Sequence, residues 1–142
     1  MPMARTLGLR FVHAEPGQIE LEMPVNEDFC FRPGQLQATA VFAIADFAAV
    51  AAAGSVLPQG WSNATVDTTL KLVAPARGRC LRARGRVVNA ARLLTVCAAD
   101  VWAVDAATGD ETLCATLLAT ARNVETPGMA ATPAAPATAP QA

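Results

Sequence analysis

Residues 37–54 read QATAVFAIADFAAVAAAG. The nine alanines at 38, 40, 43, 45, 48, 49 and 51–53 are strong helix formers. Val41, Phe42, Ile44, Phe47 and Val50 add bulk on several faces. A helix without a polar face is normally buried. Arg32-Pro33-Gly34 before it and Gly54 after it read as start and stop signals. The stretch therefore predicts one long helix at the centre of the fold. It carries a single charge, Asp46. A buried aspartate is rare unless it is paired or useful. Shielding from water raises a carboxylate's pKa, and such groups cluster at functional sites. The competing reading is a hydrogen-bonded structural aspartate. A membrane span does not fit: a span needs about 20 apolar residues, this run is shorter, and Asp46 sits at its middle.

Outward from the helix the chain alternates like strands. Gln18–Val25 places Ile19, Leu21, Met23 and Val25 on one face and Gln18, Glu20 and Glu22 on the other, a half-buried strand. Residues 5–14 suggest a helical turn or a first strand, Pro16-Gly17 a turn, and Asn26–Leu36 a loop feeding the helix. After Pro58 and Gly60, residues 63–73 form a strand. There Val66, Thr68, Leu70 and Leu72 face away from Thr65, Asp67, Thr69 and Lys71. Residues 79–89 set Leu81, Ala83, Gly85 and Val87 inward and Arg82, Arg84 and Arg86 outward. Strands over 93–105 and 111–124 follow, linked by the DAATGD hairpin loop. Connections this short cannot be parallel crossovers, so the later strands are expected as antiparallel hairpins. An antiparallel sheet covering one hydrophobic helix is an α+β layer architecture.

Composition narrows the function. A chain of 142 residues suits one domain with one core. A net charge of −1 and 5% aromatic residues without tyrosine argue against a nucleic-acid partner. A hydrophobic content of 53% in so short a chain suggests apolar surface buried between subunits. Cys30, Cys80, Cys97 and Cys114 are widely spaced and form no zinc pattern. Reduced thiols and an N-terminal stretch without an apolar signal region lead us to expect a cytoplasmic protein. His13 is the only histidine, and we read it as a surface or capping residue.

The segment Phe31-Arg32-Pro33-Gly34 followed by QATAVFAIADFAA resembles the helix-opening motif of the PaaI-like hotdog-fold acyl-CoA thioesterases. Residues 64–76, ATVDTTLKLVAPA, resemble that family's next strand. The resemblance spans about residues 5–124. It implies a hotdog domain over 1–125, with 126–142 expected as a disordered Pro/Ala-rich tail. It implies thioester hydrolysis with no metal or separate cofactor, coenzyme A arriving as part of the substrate. Asp46 falls on the family's catalytic carboxylate. Thr65 falls where a hydroxyl often assists the attacking water. Many members carry His-Gly-Gly at the helix start, where this chain has Gln37, Ala38 and Thr39, and an upstream Asn where it has Phe31.

Chemistry gives these residues roles. Asp46 can act as general base or as nucleophile. Free backbone N–H groups around Ala38 and Thr39, aided by the Gln37 amide, can hold an oxyanion. Arg92, in the NAARLL hairpin, and Arg77 are candidates for the coenzyme A phosphates. Arg82, Arg84 and Arg86 read better as the charged outer face of a strand. Nine residues part Gln37 from Asp46, about 13 Å of helix, too far for one reacting carbon to touch both. The site is therefore expected to use a second subunit, in a dimer or dimer of dimers. The alternative is a non-catalytic hotdog protein that binds acyl groups or coenzyme A or acts as a scaffold. A hotdog dehydratase ranks last, because no histidine follows His13.

Overall fold

The computed structural model describes residues 1–127. Of the expected tail, residues 128–142 lie outside the described residues. Thr126 is tied to the body: its N–H and its hydroxyl both donate to Gly60 O, at 2.7 and 2.9 Å.

The central helix, α2, runs Ala38–Gly54, after a short N-terminal helix α1 at Pro2–Thr6. Six strands make one antiparallel sheet: β1 (Arg10–Glu15), β2 (Gln18–Pro24), β5 (Trp61–Leu72), β6 (Cys80–Ala90), β7 (Leu94–Val104) and β8 (Glu111–Glu125). A two-stranded hairpin, β3 (Cys30–Arg32) with β4 (Gln35–Leu36), occupies the stretch expected as loop before α2. The ambiguous N-terminal residues resolve into both a helical turn and a strand.

Spatial order in the sheet is β1-β2-β6-β7-β8-β5. The expected hairpin between β5 and β6 is thus overturned. β5 pairs with β8, and β6 pairs with β2. Residues 73–79 form an arch over the ends of β7 and β8, held by Val73 N–H on Cys114 O and Arg79 N–H on Val104 O, both 2.9 Å. Proline and glycine mark a turn in a sequence, but not which strand the chain meets afterwards.

The inner face of the sheet wraps α2. Ile19, Leu21, Met23, Leu81, Ala83, Val101 and Leu117 are buried against it. Alanines 45, 48, 49, 52 and 53 are fully buried, so the helix lies close to the strands. The closest approach is at Gly85, where a Cβ would stand 2.1 Å from Ala48 O. Any side chain there would push helix and sheet apart. The helix is not buried all round as expected: Phe42 is partly exposed, and Asp46 and Phe47 are half-buried. Nor does Gly54 stop the helix in a left-handed conformation. It is the last helical residue, and Ser55 caps with φ −68°.

Candidate functional site

Asp46 stands at the middle of α2 and faces β5. Thr65 Oγ1 donates to Asp46 Oδ1 at 3.0 Å. Simple alternation predicts Thr65 on the outer face of its strand. A bulge between Thr65 and Asp67 overturns that reading. Past the bulge Thr65 pairs with the buried Ala121, on the face that also holds Thr68, opposite Ala119, and Leu70, opposite Leu117. The extra residue, Val66, is left 57% exposed. An unpaired bulge residue re-aims the side chains beside it, and here it delivers a hydroxyl to the carboxylate.

Burial pushes the Asp46 carboxyl above its ordinary value, and the Thr65 hydrogen bond opposes part of that rise. Cys97, on the inner face of β7, is fully buried. Burial first, and then the nearby Asp46 charge, push its thiol up to about 11. It is a neutral, inert neighbour of the carboxylate. Asp46 and Thr65 line a cavity of about 420 Å³ together with Phe47, Val50, Ala51, Gly54, Ser62, Asn63 and Ala64. Asn63, a residue the sequence did not single out, donates from Nδ2 to Val50 O at 3.1 Å.

The other candidates stand apart from this pair. Gln37 is the N-cap of α2, and its side chain makes no capping hydrogen bond. The first-turn N–H groups of Ala38 and Thr39 therefore have no side-chain cap. Gln37 and Thr39 line a cavity of about 190 Å³ with Met3, Leu7 and Phe29. Ala38 lines another, of about 350 Å³, with Phe31, Leu36 and Leu72. Arg92 lines a fourth, of about 320 Å³, with Val56, Pro58, Trp61 and Thr95. Asn123 braces that hairpin: Nδ2 donates to Ala91 O at 2.9 Å and to Arg92 O at 3.3 Å. Arg77 Nε donates to Gln35 Oε1 at 2.8 Å. Of these candidates, Thr65 is the one that reaches Asp46 within the chain.

The arginines of β6 do lie on the outer face, in ion pairs rather than free in solvent. Arg82 bonds Glu22 and Glu111, Arg84 bonds Glu111, and Arg86 bonds Asp100. His13, exposed on β1, lies 3.6 Å from Glu15. Among the described residues no helix is long and apolar enough to cross a membrane.

Six antiparallel strands closed over one long helix define a hotdog-fold protein. Solved structures agree. A thioesterase family protein from Silicibacter pomeroyi is 32% identical, with a TM-score of 0.84 over 88% of this chain and 90% of that one. A thioesterase from Haemophilus influenzae is 21% identical, with a TM-score of 0.76 over 87% and 82%. The PaaI protein of the phenylacetic acid degradation operon of E. coli is 16% identical, with a TM-score of 0.77 over 89% and 86%. The last two likenesses bear on the fold. No protein-family profile and no curated protein sequence matches the chain. The chain belongs to the thioesterase family of hotdog-fold proteins.

Proposed function

We propose that the protein hydrolyses an acyl-CoA thioester to the free acid and coenzyme A. The observation that carries this reading is the Asp46–Thr65 pair: a half-buried carboxylate at 3.0 Å from a hydroxyl, opening on a cavity. As general base, Asp46 takes a proton from water as the water oxygen bonds to the thioester carbonyl carbon. The resulting oxyanion collapses, the carbon–sulfur bond breaks, and coenzyme A leaves as the thiol, taking the proton that Asp46 had accepted. As nucleophile, Asp46 bonds that carbon itself and expels coenzyme A as the thiolate; water then cleaves the mixed anhydride to the free acid, restoring the Asp46 carboxylate and giving a proton to the thiolate. In either route Thr65 orients the carboxylate. Backbone N–H groups at Ala38 and Thr39, with the Gln37 amide, hold the oxyanion.

Those donors line other cavities than Asp46, which favours a site shared between two subunits. β5 supports such a dimer. It is a terminal strand of 12 residues, with Val66 and Leu72 more than half exposed. A long edge strand is a template for pairing with another chain. Arg92, and Arg77 at the helix start, are our candidates for holding the coenzyme A phosphates. No separate cofactor or metal is invoked.

Thiol release from a panel of acyl-CoAs, for the native protein and Asp46→Asn, tests the reading. Turnover by the native protein with loss in the variant supports it; equal turnover removes Asp46 from the chemistry. Light scattering at micromolar concentration should give at least a dimer. The second reading, an acyl or coenzyme A binding protein without turnover, is favoured by Gln37 and Phe31 in place of the family's usual residues. Binding without hydrolysis would establish it.

A further inference from the structure

Beyond the reaction, and resting on the thioesterase reading, the geometry points to a length limit on the acyl group. We propose that the acyl chain lies in the groove between α2 and β5, running from Asp46 towards the C-terminal end of the helix. Gly54 and the Asn63 carboxamide close that groove, so that short and medium acyl chains fit and long ones do not.

The helix side of the cavity is formed by Asp46, Phe47, Val50, Ala51 and Gly54. These positions recur at helical spacing, so they make one continuous face. From Asp46 to Gly54 that face is about 12 Å long. It is apolar after Asp46, as an acyl chain requires. At its far end stands Asn63, fixed by its hydrogen bond to Val50 O. An apolar chain reaching past that point would have to desolvate the amide without replacing its hydrogen bonds. Beyond Gly54 the helix end is stitched down. Ser55 Oγ donates to Ala52 O at 2.7 Å and accepts from Gly17 N at 2.8 Å.

Gly54 itself is the telling residue. It is the last residue of the helix, where glycine costs less than it would in the interior. The backbone does not demand it, since its φ is not left-handed. Steric crowding does not demand it either: a Cβ would stand 3.6 Å from Asn63 Nδ2 and 3.7 Å from its Oδ1, ordinary contact distances. Without a side chain on Gly54, the Asn63 carboxamide is the wall that the end of the helix face meets.

The test is the ratio of kcat/KM between chain lengths, measured on the full chain with acetyl-, hexanoyl-, decanoyl- and palmitoyl-CoA. The native protein should turn over hexanoyl and decanoyl and reject palmitoyl. In Gly54→Val the decanoyl-to-hexanoyl ratio should fall about tenfold, the scale on which a filled apolar pocket discriminates. Gly54→Ala, which suits a helix better, should fall part of the way and guards against a folding failure. Asn63→Ala should raise palmitoyl relative to decanoyl. Hydrolysis with ratios unmoved by these changes, or a native preference for palmitoyl, overturns the groove and leaves the hydrolase reading standing. Calorimetry with non-hydrolysable thioether analogues separates the converse case. Binding with the same length limit but no turnover upholds the groove and defeats the hydrolase. Neither binding nor turnover defeats both.

Discussion

Two carboxylates, Asp46 on the helix that packs against the inner face of the sheet and Glu22 on the sheet's outer face, are treated in opposite ways. Glu22, on the outer face, is 7% exposed and lies among three arginines. Arg10 Nη2 donates to it at 2.6 Å and Arg82 Nη2 at 2.8 Å, with Arg79 at 3.8 Å. Burial raises its pKa, but the hydrogen bonds from Arg82 and Arg10 prevail and hold it below the ordinary 4.5. Asp46, on the helix, has burial against it and one hydroxyl for it, and its pKa ends above the ordinary 3.8. Burial penalises the charge at both sites; the partners decide the outcome. A carboxylate saturated with guanidinium groups is a structural brace. One left with a single hydroxyl and an open cavity keeps a lone pair for chemistry.

The sharpest way to break the contrast is Asp46→Asn. Turnover should fall about 100-fold or more, with an unchanged or raised melting temperature, because a costly charge has gone. The sign follows from the raised pKa. Ionised Asp46 costs stability above its folded pKa, and the cost fades as pH falls towards 3.8. The variant's stability gain should therefore be largest near neutral pH and vanish below 3.8 in thermal melts. Unchanged turnover with a lowered melting temperature would make Asp46 a brace like Glu22.

Next is Thr65→Val, which removes the one group that lowers the Asp46 pKa. The acid limb of the pH–rate profile should move to higher pH, with turnover down about tenfold at neutral pH. A merely structural hydroxyl would leave that limb in place.

Glu22→Gln should leave turnover alone and lower stability by about 1–2 kcal/mol, since it strands partly exposed arginines. Here the pH dependence has the opposite sign. The stabilisation from Glu22 is complete above 4.5 and lost as pH falls through its lower folded pKa. Denaturant titrations of native and variant protein should converge in acid. The smallest effect belongs to Arg86→Ala. Its pair with Asp100 spans 3.0 Å between side chains that are 51% and 31% exposed, and its loss should change stability by no more than about 0.5 kcal/mol.

The two regions also differed in how well the sequence announced them. Asp46 was legible as the lone charge in an apolar helix, β2 and β6 from their alternation, and β7 and β8 as the strands flanking the DAATGD loop. β1 was not, because all six of its residues are exposed and leave no apolar face to read. The brace around Glu22 needs the register that sets Glu22 against Arg82 and Glu20 against Arg84. Alternation says which residues share a face, never which strand lies opposite. Thr65 was chosen on resemblance, while its strand's periodicity put it on the wrong face. A one-residue bulge reverses such an assignment and leaves no mark in hydrophobicity.

The arch over residues 73–79 bears on the order in which the protein folds. By carrying β6 away from β5, it leaves β5 without a partner until β8 has been made. The ladder joining Trp61 to Glu125 and Leu72 to Ala115 closes a large loop of chain, and such contacts form slowly. On a ribosome, α2 and its carboxylate emerge well before the strand that anchors Thr65. The Asp46–Thr65 hydrogen bond therefore waits for the last strand, and a nascent chain stopped short of β8 holds the acid without its hydroxyl.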